Sequence, residues 1–181
     1  IRRLTTRSRQ GGDLDLFMRE MEYFGPYHNP ANEVVRSLAK GNFPRGNWIG
    51  YSMDPDVELG FYWNQITNGF NAIQWWRLDN VGQGYHGFLA PDMAPSPTSR
   101  ALIEDTQIVR DGLGDLLMRY PMLGDGVAML YSLPSTYIAH FDGNESYGLY
   151  VRDHEHWIDA IHDAGVQFDY VTDRQLRLGE F

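Results

Sequence analysis

The sequence predicts a mixed α/β fold in which parallel strands alternate with helices. Two stretches carry this prediction, because each places a short apolar run, a helical segment and a second apolar run close together, as strand–helix–strand units do. The first stretch covers residues 47–77 and the second covers residues 126–171. With 181 residues, of which 43% are hydrophobic and 14% aromatic, the chain can build a core for one ordinary domain or two small ones.

Two helices are predicted before the first strand. Residues 13–24 carry apolar side chains at helical spacing, and the pattern ends at Gly25. The next helix follows Asn29, a residue type that caps helix N-termini, and ends at Gly41. Both segments therefore present one apolar face to a core.

The first strand–helix–strand unit is marked by its apolar runs and its helix signal. The aromatic and apolar run 47–52 predicts a buried strand. Asp54-Pro55 is typical of a helix N-terminus, so a helix is expected over 56–68, followed by a second strand over 70–77. Such a unit places its two strands parallel in one sheet.

The remaining elements follow a long predicted loop. Residues 81–99 contain three glycines and three prolines and predict a loop. A helix is expected from the end of that loop to about Tyr120, where Pro121 stops it. The second strand–helix–strand unit then comprises a strand at 126–132, a helix at 147–164 and a strand at 166–171.

Composition excludes several classes of protein. The 24 acidic residues exceed the 15 basic ones and give a formal charge of −9, so no nucleic-acid partner is expected. The absence of cysteine excludes a disulfide framework, a thiolate nucleophile, a zinc ribbon and an iron–sulfur site. No apolar run approaches the roughly 18 residues of a membrane helix, so we expect a soluble protein without a membrane partner, in a compartment that the sequence leaves open.

Candidate functional residues follow the predicted strands of the first unit. Parallel α/β folds meet their substrates at the carboxyl ends of the strands. Asp54 follows the first strand, Trp76, Arg77 and Asp79 lie at the end of the second, and His86 lies in the next loop. Aromatic rings pack on the apolar faces of a pyranose while charged groups bind its hydroxyls. The pattern therefore favours a sugar-binding site.

Each of these residues also has a structural interpretation. Asp54 before a proline is a standard helix N-cap. The two adjacent tryptophans point to opposite faces of a strand, so only one of them can reach a site. Arg77 and Asp79 can form an ion pair at the strand end, and His86, near Gly84 and Gly87, suits a hydrogen bond to the backbone.

Two further motifs predict no site. The glycines of GQGYHG at 82–87 are misplaced for a dinucleotide loop, and no helix follows directly. His154-Glu155-His156 lies in a predicted helix, where residues two apart face different sides, so a zinc site is not expected and a solvated helix surface is.

The order of three segments resembles a known family. The run FNAIQWWRLDNVGQGYHGFLAPD is followed after a helix by GVAMLYSLPS and then by HWIDAIHDAGVQFDYVTDRQL. This order resembles family-42 glycoside hydrolases, the β-galactosidases with a trimerisation domain. In that family a last barrel strand ends in an aromatic-Arg segment, a loop carries a His followed by a Gly, and an eighth helix precedes a glutamine-amidotransferase-like domain. The resemblance covers about 57–181.

The resemblance implies a two-part architecture. Residues 1–121 would form the C-terminal part of a (β/α)8 glycosidase barrel, and residues 122–181 would begin a flavodoxin-like α/β trimerisation domain. Such a barrel needs about 250 residues, so we expect the chain to be a fragment of a larger one. A homo-oligomer, by resemblance a trimer, is the expected assembly.

The resemblance also assigns binding roles. Arg77 and His86 would lie at the sugar-binding end of the barrel, and Trp48 or Trp76 would form a stacking wall. Gln83 stands where the family has an acidic residue and can still bind a sugar hydroxyl. These residues join Asp79 in the predicted binding set.

The resemblance gives only one of the family's two catalytic carboxyl groups. Asp54 is the candidate for the family's nucleophile, while the resemblance would place the family's Asn-Glu pair, the general acid/base, upstream of Ile1. Retaining hydrolysis needs two carboxyl groups about 5 Å apart and no cofactor. We therefore expect the chain to be part of a β-galactoside hydrolase and to be inactive on its own. The alternatives are a non-catalytic carbohydrate-binding or assembly protein and a small α/β domain with another ligand.

Overall fold

The chain forms a mixed α/β structure, as the sequence predicts. The structure is a computed structural model and describes residues 13–25, 31–39, 44–78, 87–120 and 122–181. Its strands within these ranges are β1 (Gly46–Ile49), β2 (Ala72–Trp75), β3 (Val127–Tyr131) and β4 (Phe168–Thr172). Its helices there are α1 (Leu14–Glu20), α2 (Ala31–Leu38), α3 (Pro55–Thr67), α4 (Pro97–Asp105), α5 (Gly114–Arg119), α6 (Leu133–Phe141), α7 (Asn144–Asp163) and α8 (Asp173–Leu178).

The chain divides into two compact units. The first-sheet unit spans Pro44–Met122, and the second-sheet unit combines the residues up to Phe43 with Leu123–Phe181. The helices α1 and α2 group with the C-terminal part of the chain. The assignment of residues 1–121 to a glycosidase barrel and 122–181 to a trimerisation-type domain stays a prediction.

The first-sheet unit contains the predicted strand–helix–strand arrangement. β1 and β2 pair in parallel, with Gly46 opposite Ala72 and Ile49 opposite Trp75, and α3 connects them. The side chain of Asp54 accepts a hydrogen bond from the Asp56 amide and so caps α3. α3 packs against α4, which places a helical layer beside the two strands.

The second-sheet unit repeats the parallel pairing. β3 and β4 run side by side from Val127 opposite Phe168 to Tyr131 opposite Thr172, with α6 and α7 between them. α1 and α2 pack with this sheet to form one hydrophobic core. Its buried members are Leu14, Met18, Phe24, Val34, Val35, Leu38, Tyr131, Ile158, Phe168 and Tyr170. Each large apolar side chain buried there contributes about 1.5–3 kcal/mol.

Polar contacts fix α2 on β4. The Tyr170 amide donates to the Ser37 hydroxyl at 2.8 Å. The Arg36 guanidinium bonds the Glu33 carboxylate at 2.9 Å and the Asp169 carboxylate at 2.8 Å, and it also donates to the Phe168 carbonyl. Glu33 is fully buried, so its charge is compensated by Arg36.

One predicted helix is interrupted in the structure, and two observed helices were not predicted. The helix expected to run to about residue 120 ends as α4 at Asp105 and resumes as α5 after a π-helical turn at Val109–Leu113, where Gly112 has a φ of 137°. The prediction of one continuous helix is therefore wrong, because a residue with positive φ interrupts the helical backbone. α6 and α8 were not predicted, although both begin at a capping residue, Ser132 and Thr172 respectively.

The two sheets are small. Among the described residues, each sheet holds two strands, and no further strand closes either into a barrel. The predicted barrel end stays a prediction. No helix within the described ranges is long and apolar enough to span a membrane.

Candidate functional site

The predicted stacking residues meet at the carboxyl ends of β1 and β2. The rings of Trp48 and Trp76 contact each other edge to face, with centroids 5.7 Å apart and planes at 79°. Trp76 keeps 42% of its surface exposed, while Trp48 is half-buried beside it. The ring of Trp75 instead packs against Phe88, with centroids 5.2 Å apart. One tryptophan of the adjacent pair thus supports the unit and the other presents an aromatic face to solvent.

Asp54 follows β1 and is exposed, as a strand-end residue should be. Its Oδ1 atom lies 3.0 Å from the Asp56 amide nitrogen and accepts that hydrogen bond. The Asp54 amide in turn donates to the Ser52 hydroxyl at 3.1 Å. These contacts correspond to the N-cap interpretation of Asp54. Its assignment as a nucleophile stays a prediction.

A buried carboxylate that the sequence did not single out supports the same strand end. Glu58 has 0% of its surface exposed. Its Oε2 atom accepts from the Gly50 amide at 2.7 Å and its Oε1 atom accepts from the Ser52 amide at 2.5 Å. Glu58 thereby holds the segment 50–54, which we call the strand-end loop. No sequence signal marks it, because an acidic residue in the first turn of a helix is ordinary.

The strand-end loop has a second anchor. The Thr98 hydroxyl donates to the Met53 carbonyl at 2.6 Å, and Thr98 is itself buried at the start of α4. Because α3 and α4 are packed together, both anchors belong to the same helical layer. The loop between β1 and α3 is therefore held at two points, by Glu58 of α3 and by Thr98 of α4.

Arg77 comes directly after the exposed tryptophan. The Trp76–Arg77 peptide bond is cis, and the Arg77 carbonyl accepts from the Phe88 amide at 2.7 Å. The Leu78 carbonyl similarly accepts from the Leu89 amide at 2.9 Å. Phe88 and Leu89 thus lie beside the end of β2. The other predicted binding residues, Asp79, Gln83 and His86, lie outside the described residues.

The second sheet has an opening at its own strand ends. A depression of about 140 Å³ lies where β3 and β4 end. Three of its charged residues are paired with each other: Arg174 bonds the Asp13 carboxylate at 2.8 Å and the Asp15 carboxylate at 3.1 Å. Arg19 and the Thr172 hydroxyl also donate to Asp15. Burial raises the pKa of Asp15, but the hydrogen bonds from Arg19 and Thr172 outweigh it and lower that pKa overall. This network stabilises the fold.

His154 corrects one prediction from the sequence. It was expected on a solvated helix surface, yet it is partly buried in α7 and its Nδ1 atom lies 3.1 Å from the Tyr170 hydroxyl. Burial lowers the pKa of His154 and raises the pKa of Tyr170. His156, two residues further, is exposed as expected. The periodic pattern missed the burial because β4, which supplies Tyr170, lies beyond the helix in sequence.

The described part of the chain holds no group of three or more His, Asp or Glu side chains arranged to bind a metal ion.

The aromatic pair Trp48 and Trp76, the strand-end loop and Arg77 make up the candidate site at the end of the first sheet. Comparison with known proteins gives no match: no protein-family model, no curated protein and no solved structure resembles the chain at a significant level.

Proposed function

We propose that the first-sheet unit forms the sugar-binding side of a glycoside hydrolase that acts on β-galactoside-like sugars. The observation that carries this proposal is the exposed ring of Trp76, held edge to face against Trp48 at the carboxyl ends of two parallel strands. Ligands of parallel α/β folds bind at such strand ends. A rigid aromatic face there suits the apolar C–H face of a pyranose ring.

Polar groups suited to sugar hydroxyls adjoin the aromatic pair in sequence. Arg77 follows Trp76 directly, and Asp79, Gln83 and His86 come within the next nine residues. These side chains offer guanidinium and amide donors together with carboxylate and imidazole acceptors. In the proposed site the tryptophan provides contact area and this polar set provides orientation.

The two carboxylates near the site, Asp54 and Glu58, are both engaged in hydrogen bonds, which favours sugar binding over hydrolysis by these residues alone. Asp54 is occupied as the cap of α3, and both oxygens of the buried Glu58 accept hydrogen bonds from the strand-end loop. A retaining hydrolase needs a nucleophile and a proton donor about 5 Å apart, both facing the anomeric carbon. We therefore propose that the chain binds the sugar, that catalysis needs carboxyl groups from elsewhere in a larger protein, and that no cofactor takes part.

The same observation supports a second candidate function, a carbohydrate-binding or assembly protein that has lost hydrolysis. In that case Asp54 acts solely as a helix cap, and the second-sheet unit serves oligomerisation, a trimer by the resemblance. The two candidates share the sugar site and differ in turnover. Asp54→Asn separates them in a longer, active form of the protein, since only a nucleophile loses activity on this change while sugar binding persists.

Sugar binding is tested by calorimetric titration with methyl β-D-galactopyranoside. If a sugar covers the 42% of Trp76 that is exposed, the contact buries about 60–100 Å² of aromatic surface and contributes about 1.5–2.5 kcal/mol. Trp76→Ala should therefore weaken binding about tenfold or more. The matched control is Trp157→Ala, which removes a 57% exposed tryptophan from α7 in the second-sheet unit and should leave the affinity unchanged. Absence of binding by the unaltered chain, or equal affinity in both variants, would contradict the proposal.

A further inference from the structure

We infer that Glu58 is a positioning residue that sets the place of Trp76 through the strand-end loop. This inference rests on the proposed function for its role in sugar binding, but its structural part stands on contacts alone. Glu58 lies in the first turn of α3, fully buried, and accepts hydrogen bonds from the backbone amides of Gly50 and Ser52.

A carboxylate suits this position because it satisfies two backbone donors at once. β1 ends at Ile49, so the amides of the next residues have left the ladder that pairs β1 with β2. A buried amide without an acceptor is costly, and a charged acceptor makes the stronger hydrogen bond. The N-terminal turn of α3 also favours the negative charge of Glu58. These interactions compensate for the removal of the Glu58 carboxylate from water.

Gly50 transmits the position of the strand-end loop to Trp76. A Cβ atom at Gly50 would lie 2.6 Å from the Trp76 carbonyl oxygen and 2.8 Å from the Trp75 ring, so the two backbone segments are in close contact. The Trp76 amide also donates to the Ile49 carbonyl at 2.7 Å. With this close packing, a shift of the loop at Gly50 must move the Trp76 backbone or open a gap against it. The ring of Trp76 and its contact with Trp48 follow that backbone.

The test compares Glu58→Gln with a control in the second-sheet unit. Glutamine keeps the size of the side chain but replaces one acceptor oxygen with an amide group, so it can hold only one of the two loop amides. Glu33→Gln is the matched control, because Glu33 is also 0% exposed but belongs to α2 and pairs with Arg36. Both changes remove a buried negative charge, and only one of them releases the strand-end loop.

The readout is fluorine NMR of the protein carrying 5-fluorotryptophan. Its five tryptophans give five resonances, which single Trp→Phe changes assign. Glu58→Gln should move the resonances of Trp48 and Trp76, leave that of Trp157 in place, and weaken the affinity for methyl β-D-galactopyranoside about tenfold. Glu33→Gln should leave the Trp48 and Trp76 resonances where they are. An unmoved Trp76 resonance in Glu58→Gln, or an equal movement in both variants, would overturn the inference.

Two further outcomes remain decisive. If Glu58→Gln moves the Trp76 resonance but the unaltered protein binds no sugar, the positioning role holds and the proposed function fails. If Glu58→Gln does not fold, hydrogen exchange in the unaltered protein replaces it. Protected amides at Gly50 and Ser52 support the anchoring by Glu58, whereas exchange at the rate of a fully exposed amide overturns it.

Discussion

Replacing Asp54 separates its structural role from a chemical one. Its Oδ1 atom makes one exposed hydrogen bond, 3.0 Å from the Asp56 amide nitrogen, at the N-terminus of α3. Loss of such a cap costs about 1 kcal/mol, so Asp54→Ala should lower the free energy of unfolding by about that amount. Asp54→Asn keeps an acceptor and loses only the charge, which is worth about 0.3–1 kcal/mol near a helix N-terminus. Because Asp56 and Glu58 keep two acidic groups in that turn, we expect the lower end of this range.

The assay is urea unfolding followed by tryptophan fluorescence. The signal reports mainly on the first-sheet unit, which contains four of the five tryptophans: Trp48, Trp63, Trp75 and Trp76. The control is Asp56→Ala, which removes a carboxylate from the same turn but no cap, and should cost less than half as much as Asp54→Ala. An Asp54→Ala protein that unfolds at the same urea concentration as the unaltered chain would refute the cap. It would leave the carboxylate free for the chemistry that the resemblance implies.

The second-sheet unit gives three further predictions. Burial lowers the pKa of His154, so the unfolded chain binds a proton at this residue more tightly than the folded chain does. The thermal stability should therefore fall as the pH drops below about 6.5. His154→Gln should abolish this pH dependence, whereas the control His156→Gln should retain it. Arg36→Ala leaves the buried charge of Glu33 unpaired and should cost about 3–5 kcal/mol in urea unfolding followed by circular dichroism, and a cost below about 1 kcal/mol would contradict the pairing. The pKa of Asp15 is lowered, so its stabilising contribution is present above about pH 3.8 and is lost as the pH falls. In an acid titration, the stability of Asp15→Asn should therefore decrease less steeply than that of the unaltered chain. An equally steep decrease in both proteins would contradict the role of Asp15 in the network.

Local patterns were sufficient for much of the fold. The apolar runs predicted both parallel pairs, and Asp54-Pro55 predicted the start of α3 to within one residue. These features depend on residues that are close in sequence, where period and capping are informative. α6 and α8 were missed although a capping residue, Ser132 and Thr172 respectively, stands at the start of each.

Contacts between distant parts of the chain could not be predicted. α2 packs on β4, and the bonds of Arg36 to Asp169 and of Ser37 to Tyr170 each join residues 133 apart. No feature of either sequence segment indicates that α2 packs on β4. The burial of His154 has the same origin, since it depends on Tyr170 in β4. Tertiary packing decided these features, and one sequence carries no direct record of it.

The candidate site was predicted in part. Residue type and strand position pointed to Trp76, and the resemblance gave Trp48 or Trp76 as a stacking wall; in the structure the two rings contact each other. Glu58 was missed because its role depends on where the backbone turns after β1, which residue types alone do not specify. The sequence thus pointed to the candidate aromatic residues more readily than to the buried carboxylate that bonds the neighbouring loop.

Titration of the fluorotryptophan-labelled protein with methyl β-D-galactopyranoside tests sugar binding at Trp76 most directly. The expected result is a saturable movement of the Trp76 resonance, with a smaller movement at Trp48 and none at Trp157. Glycerol at the same concentration should have no such effect, since it lacks a pyranose face. A Trp76 resonance that stays in place at every sugar concentration, or that moves equally with glycerol, would contradict a sugar site at the carboxyl ends of β1 and β2.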